Sequence, residues 1–202
     1  MSFVLTDTYL PATLAAQPMT DEEFQDLCVE HPDLNFEMTA EGELIVMAPT
    51  ASDTGASNFE VDRQLGNWAL TNKLGIGCDS SSGFVLPNGA RRSPDASWTL
   101  RSRVKALKDR RRKSFWRLCP DFVVEIRSET DRLRPLQKKM REYLDNGAQL
   151  GWLIDPQRKA VEIYRPGVEP ETRTGIDKVE GEGPVAGFVL DLTDVWDPLD
   201  DE

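Results

Sequence analysis

The run from Cys119 to Ser128, CPDFVVEIRS, constrains the fold more than any other part of the chain. Apolar and charged residues alternate along it with period two, the spelling of a β-strand with one buried face. Phe122, Val124 and Ile126 then point one way, and Asp121, Val123, Glu125 and Arg127 the other. A carboxylate in the middle of such a strand must be paired, bound to a metal or left on an open face, because burying a lone charge costs several kcal/mol. Which of these Glu125 uses is the question the rest of the sequence has to answer.

The residues on either side supply further elements. Arg132 to Asn146 reads as a helix with Leu133, Leu136, Met140 and Tyr143 on one apolar stripe, closed by Gly147 as a left-handed C-cap. QLGWLID and AVEIYRP follow as two strands. Upstream, MTDEEFQDLCVEH is a short helix with Thr20 as N-cap and Glu23 completing a capping box. NFEMTAEGELIVMAPT is a hairpin turning at Glu41-Gly42. Ser57 to Lys73 has a helical period, with Val61, Leu65 and Trp68 on one stripe. GIGCDS and GFVLP are short strands ended by the turn Pro87-Asn88-Gly89. Asp95 to Thr99 is a further strand, and the last lies near Val185 to Leu190. The order is mixed α/β.

With 202 residues, 39% apolar content and five tryptophans, the chain fills one core better than two. It divides into an N-terminal arm over 1–18, a domain over 19–167, and an acidic C-terminal extension over 168–202 packed on that domain. The first residues carry no basic n-region and no long apolar run, so a soluble, cytoplasmic protein without a membrane partner is expected. Cys28, Cys78 and Cys119 are far apart and odd in number, which fits reduced thiols rather than a disulfide framework or a zinc site. His31 is the only histidine. That excludes Ser-His-Asp and Cys-His catalysis within one chain, and multi-His metal sites with them.

A net charge of -11 conceals an asymmetry. Eleven Lys or Arg lie between Arg91 and Arg117, against only Asp95 and Asp109. Screening confines each charge to about 10 Å at moderate salt, so an acidic protein with one basic segment can still bind a polyanion locally. Arg101, Arg103, Arg110, Arg111, Arg112 and Lys113 are the candidate phosphate contacts. A solvated surface excursion accounts for such a run as well.

The chemistry falls on neighbouring elements. Asp95 follows Pro94 at a strand start, and Glu125 lies inside a later strand with Arg127 two residues on. Mg²⁺ or Mn²⁺ is held by one or two carboxylates together with substrate oxygens and water, which two acids from adjacent strands can provide. A nearby cation then stabilises charge at phosphorus or orients the attacking water. At about 100° per residue, Lys139 falls beside the apolar stripe of its helix and can reach inward, whereas Lys138 falls nearly opposite. Each residue also has a structural reading: Asp95 as a turn former, Glu125 in a salt bridge to Arg127, Lys139 as a surface lysine.

RSPDASW (Arg92 to Trp98), PDFVVEIRS (Pro120 to Ser128), KMREYLDNG (Lys139 to Gly147), LGWLIDP (Leu150 to Pro156) and FEMTAEGELIVMAPT together resemble the Uma-two family of restriction-endonuclease-like proteins, over roughly Met19 to Gly167. The resemblance implies a PD-(D/E)XK core, a central mixed β-sheet flanked by helices with the N-terminal hairpin as an extension, and Mg²⁺-dependent hydrolysis of phosphodiester bonds in DNA. It makes Asp95 and Glu125 the metal acids and Glu37 an accessory acid. The superfamily pattern places Lys two residues after the second acid, where this chain has Arg127. Arginine stays protonated and is a poor general base. The lysine role therefore falls to Lys139 or, for positioning alone, to Arg127. An inactive nucleic-acid-binding or protein-interaction module on the same fold is the alternative. A homodimer is one arrangement for cutting both strands.

Overall fold

The computed structural model describes residues 11–15, 19–47, 49–108 and 114–198. In chain order the elements are β1 (Ala12–Ala15), α1 (Asp21–Glu30), β2 (Asn35–Met38), β3 (Glu43–Met47), α2 (Ser52–Asn72), β4 (Gly75–Asp79), β5 (Phe84–Val85), β6 (Arg91–Arg92), β7 (Ala96–Leu100), α3 (Arg101–Ala106), β8 (Phe122–Ile126), α4 (Leu133–Asp145), β9 (Leu150–Asp155), β10 (Ala160–Tyr164), β11 (Glu171–Thr174), β12 (Lys178–Glu180), β13 (Val189–Asp191) and α5 (Thr193–Trp196). The central sheet has six strands in the order β11-β10-β9-β8-β7-β4. It is mixed: β8 and β9 run parallel, joined by the crossover helix α4, and the other neighbours are antiparallel. A second sheet, β1-β3-β2-β6-β5, carries the N-terminal hairpin.

All five residues of β8 are buried, so the strand has two covered faces rather than the single one its alternation suggested. Phe122, Val124 and Ile126 pack with Val61 and Leu65 of α2 and with Val179, Phe188 and Leu190. Val123 packs on the opposite face with Met140 and Tyr143 of α4. The sheet is thus sandwiched between helices, and the Glu125 side of β8 faces α4 rather than water.

Several sequence expectations are met residue by residue. Thr20 caps α1 and Glu23 closes the capping box. Gly147 adopts φ 106° after α4, the left-handed conformation a non-glycine residue enters at a cost. Others shift. The helix expected from Ser57 begins at Ser52, more than two turns before Val61, its first apolar stripe residue. The strand expected over Val185 to Leu190 is interrupted by Gly187 at φ 87°, which breaks the extended backbone, and starts at Val189. β6 and β11 were not read from the sequence at all. β11 adds an edge strand to the central sheet, and Val185, Leu192 and Val195 help fill its core.

Candidate active site

The β7 and β8 register pairs Ala96 with Val124, which sets Asp95 at the strand start beside Glu125. Asp95 is held from two sides: its Oδ2 accepts from the backbone N–H of Ile126 at 2.7 Å, and its Oδ1 accepts from Asn58 Nδ2 at 3.1 Å. Burial raises the Asp95 carboxyl above its ordinary range, against the pull of the Ile126 N–H and of Lys139. Glu125 is 4% exposed. Burial pushes it up to about 8; the Lys139 ammonium opposes this, and the charges of Asp95 and Glu37 add to it.

Lys139 reaches inward, as its place beside the stripe requires. Its Nζ lies 2.8 Å from Glu125 Oε1, 2.9 Å from Glu125 Oε2 and 2.8 Å from Glu37 Oε1. Lys138, on the other side of the helix, is exposed. Desolvation works against the Lys139 charge, but the two glutamates outweigh it and raise its pKa, so the group is a permanent cation near neutral pH. Tyr143, one turn along α4, donates to Glu125 Oε1 at 2.9 Å. Glu37, on β2, also accepts from Arg92 Nη1 at 3.0 Å and from the Ser93 N–H at 2.9 Å. The cations and the N–H lower its pKa against burial. Arg92 continues the chain of contacts to Glu142 at 2.6 Å.

α2 adds two polar residues that the sequence reading missed. Asn58 bonds Asp95, and Asp62, four residues on and so on the same helix face, is pushed up to about 7 by burial and by the charges of Asp79 and Asp95. Their i, i+4 spacing beside Val61 and Leu65 was a visible signal, but nothing in the sequence says which strand that flank meets.

Arg127 does not pair with Glu125. It leaves the strand end, donates from Nη1 to Asp155 Oδ2 at 2.9 Å and from Nε to the Asp131 carbonyl at 3.2 Å, and so ties the β8–α4 loop to β9. The basic segment is likewise partly spent inside the protein. Arg91 bonds Asp21, Arg101 donates to the carbonyls of Lys73 and Gly75, Arg103 pairs with Asp121 at 2.7 Å, and Arg117 pairs with Asp21. Arg110, Arg111, Arg112 and Lys113 lie outside the described residues. Cys28, Cys78 and Cys119 are free thiols. Among the described residues no helix is long and apolar enough to cross a membrane. No group of three His, Cys, Asp or Glu among them converges in metal-holding geometry.

A mixed sheet with a β8–α4–β9 crossover, an Asp and a Glu side by side on neighbouring strands and a lysine entering from the crossover helix make this a restriction-endonuclease-like fold. The comparisons agree. The crystal structure of "a putative nuclease belonging to DUF820" from Anabaena variabilis superposes with a TM-score of 0.73 at 22% identity, covering 89% of this chain and 98% of that one. No curated protein matches the chain. The family model Uma2, described as "Putative restriction endonuclease", matches residues 21–193. The chain belongs to the Uma2 family.

Proposed function

We propose that the protein is a divalent-metal-dependent endonuclease that hydrolyses phosphodiester bonds in DNA, with Asp95 and Glu125 holding Mg²⁺ or Mn²⁺ and Glu37 as accessory acid. The observation that carries this reading is the juxtaposition of Asp95 and Glu125, two carboxyls raised by burial with Lys139 at their edge. Both carboxyls are raised chiefly by burial, Lys139 supplies one positive charge beside them, and hard oxygen donors suit a hard divalent cation. When bound, such an ion supplies Lewis-acid stabilisation of charge at phosphorus and lowers the pKa of water.

The protein's own residues have distinct parts in this reading. Asn58 and the Ile126 N–H orient Asp95, and Tyr143 orients Glu125. Lys139, permanently charged, is no general base; it orients the attacking water and offsets negative charge building on the phosphoryl oxygens. Arg127 holds the loop that aims α4 and its lysine. Calorimetric titration of the protein with Mn²⁺ tests the metal role: binding is expected in the parent and lost in Asp95→Asn. Unchanged binding in that variant contradicts the assignment.

A further inference from the structure

The outward face of α4 carries a row of exposed cations. Arg134, Lys138 and Arg141 stand at i, i+4 and i+7, which places them on one stripe facing away from the sheet. All three are exposed and form no ion pair among the described residues. The nearby acid Glu142 is already engaged by Arg92 at 2.6 Å and Asn88 at 3.1 Å, so it does not neutralise them. Asp145 shares the stripe at its far end, and the exposed Glu41 of the β2–β3 turn feels the Lys138 charge. Lys138 and Arg141 also line a shallow cleft of about 350 Å³ between α4 and the turn at Asn88. By contrast Arg101, Arg103 and Arg117 of the segment picked out by charge density alone are held by internal partners.

We propose that this face of α4 is a docking surface for the phosphodiester backbone of nucleic acid. The stripe is about 10 Å long at 1.5 Å per residue, and duplex DNA presents a phosphate about every 3.4 Å per strand, so the three cations can meet separate phosphates. The stripe lies on the side of α4 away from the acids, and Arg92 links Glu142 at its border to Glu37, so the surface and the site share one helix and one ion-pair chain. Such contacts position the substrate and read no sequence. The surface deepens the nuclease reading and rests on it.

The test compares the parent with the triple variant Arg134→Gln, Lys138→Gln, Arg141→Gln by fluorescence anisotropy, on a short DNA duplex and an RNA duplex of the same sequence over a salt series. The replaced side chains are exposed, so an unchanged urea midpoint is expected and serves as the folding control. Weaker binding by the triple variant is expected, with a log-log salt slope smaller by about 0.9 per lost contact, close to three units in all. Loss on both duplexes assigns the surface to phosphate chemistry shared by DNA and RNA; loss on DNA alone assigns it to DNA. A parent that binds while the triple variant matches its affinity and slope overturns the surface and leaves the nuclease reading standing. A parent that binds neither duplex overturns both.

Discussion

Replacing Lys139 by Met keeps the length of the side chain and removes its ammonium. In the parent that charge sits between Glu37 and Glu125 at 2.8 Å from each, with the lysine side chain only 14% exposed. Removing one partner from a buried ion pair costs about 3–5 kcal/mol, because the remaining charge keeps its desolvation penalty without compensation. Here two glutamates are left, with Asp95 beside them, so the upper half of that range is expected, or a melting temperature lower by roughly 10–15 °C for a domain of this size. A surface lysine, the structural reading of Lys139 in the sequence, carries no such cost; its burial between two acids contradicts that reading. The loss also has a signature in pH. Without the ammonium the Glu125 carboxyl, already above its unfolded value, rises further, and Glu37 loses one of the cations that hold it low, so the folded variant binds more protons relative to the unfolded chain than the parent does and loses stability as pH rises. Urea denaturation near pH 5 and near pH 8 therefore shows a deficit relative to the parent that is smaller at the lower pH. A deficit under about 1 kcal/mol, equal at both pH values, is what a solvated lysine gives, and it refutes the reasoning.

Two further outcomes follow from the same contacts. Because Glu125 is pushed up to about 8, a proton competes with metal for it, and Mn²⁺ affinity measured by calorimetry is expected to rise about 20-fold from about pH 6.5 to about pH 8.5; a flat profile removes Glu125 from the metal shell. Arg127→Ala leaves Asp155, 1% exposed and with Oδ1 already lacking a partner, without its close cation, and is expected to cost about 2–4 kcal/mol in urea denaturation, whereas Arg127→Lys, which restores the superfamily spelling, leaves the cleavage rate unchanged. A faster Arg127→Lys enzyme returns the chemistry to the strand position.

The parts legible in the sequence were those set by local rules. The capping box at Thr20 and Glu23, the C-cap at Gly147 and the inward turn of Lys139 against the outward turn of Lys138 all follow from backbone geometry within one element. What sequence could not supply was pairing between distant elements. Arg127 meets Asp155 on β9 rather than Glu125 two residues before it, because the strand ends at Ile126 and its side chain no longer follows the strand alternation. Charge density made Arg91 to Arg117 look like one solvated patch, yet Arg91 and Arg92 are each 7% exposed and bound to acids from α1, β2 and α4. Asn58 and Asp62 were overlooked for the same reason: helical periodicity marks the buried stripe of α2 but not which strand lies beside its flank.

The measurement that bears most directly on the central claim is cleavage of a mixed DNA panel, single-stranded, linear duplex and supercoiled, with Mg²⁺ or Mn²⁺, by the parent, Asp95→Asn and Lys139→Met. Assayed at a temperature where all three are folded, the parent is expected to cut with at least one metal, Asp95→Asn to be inactive, and Lys139→Met to be slower by a factor of about 10² or more. A parent that cuts no substrate with either metal, or an Asp95→Asn variant as active as the parent, contradicts the account.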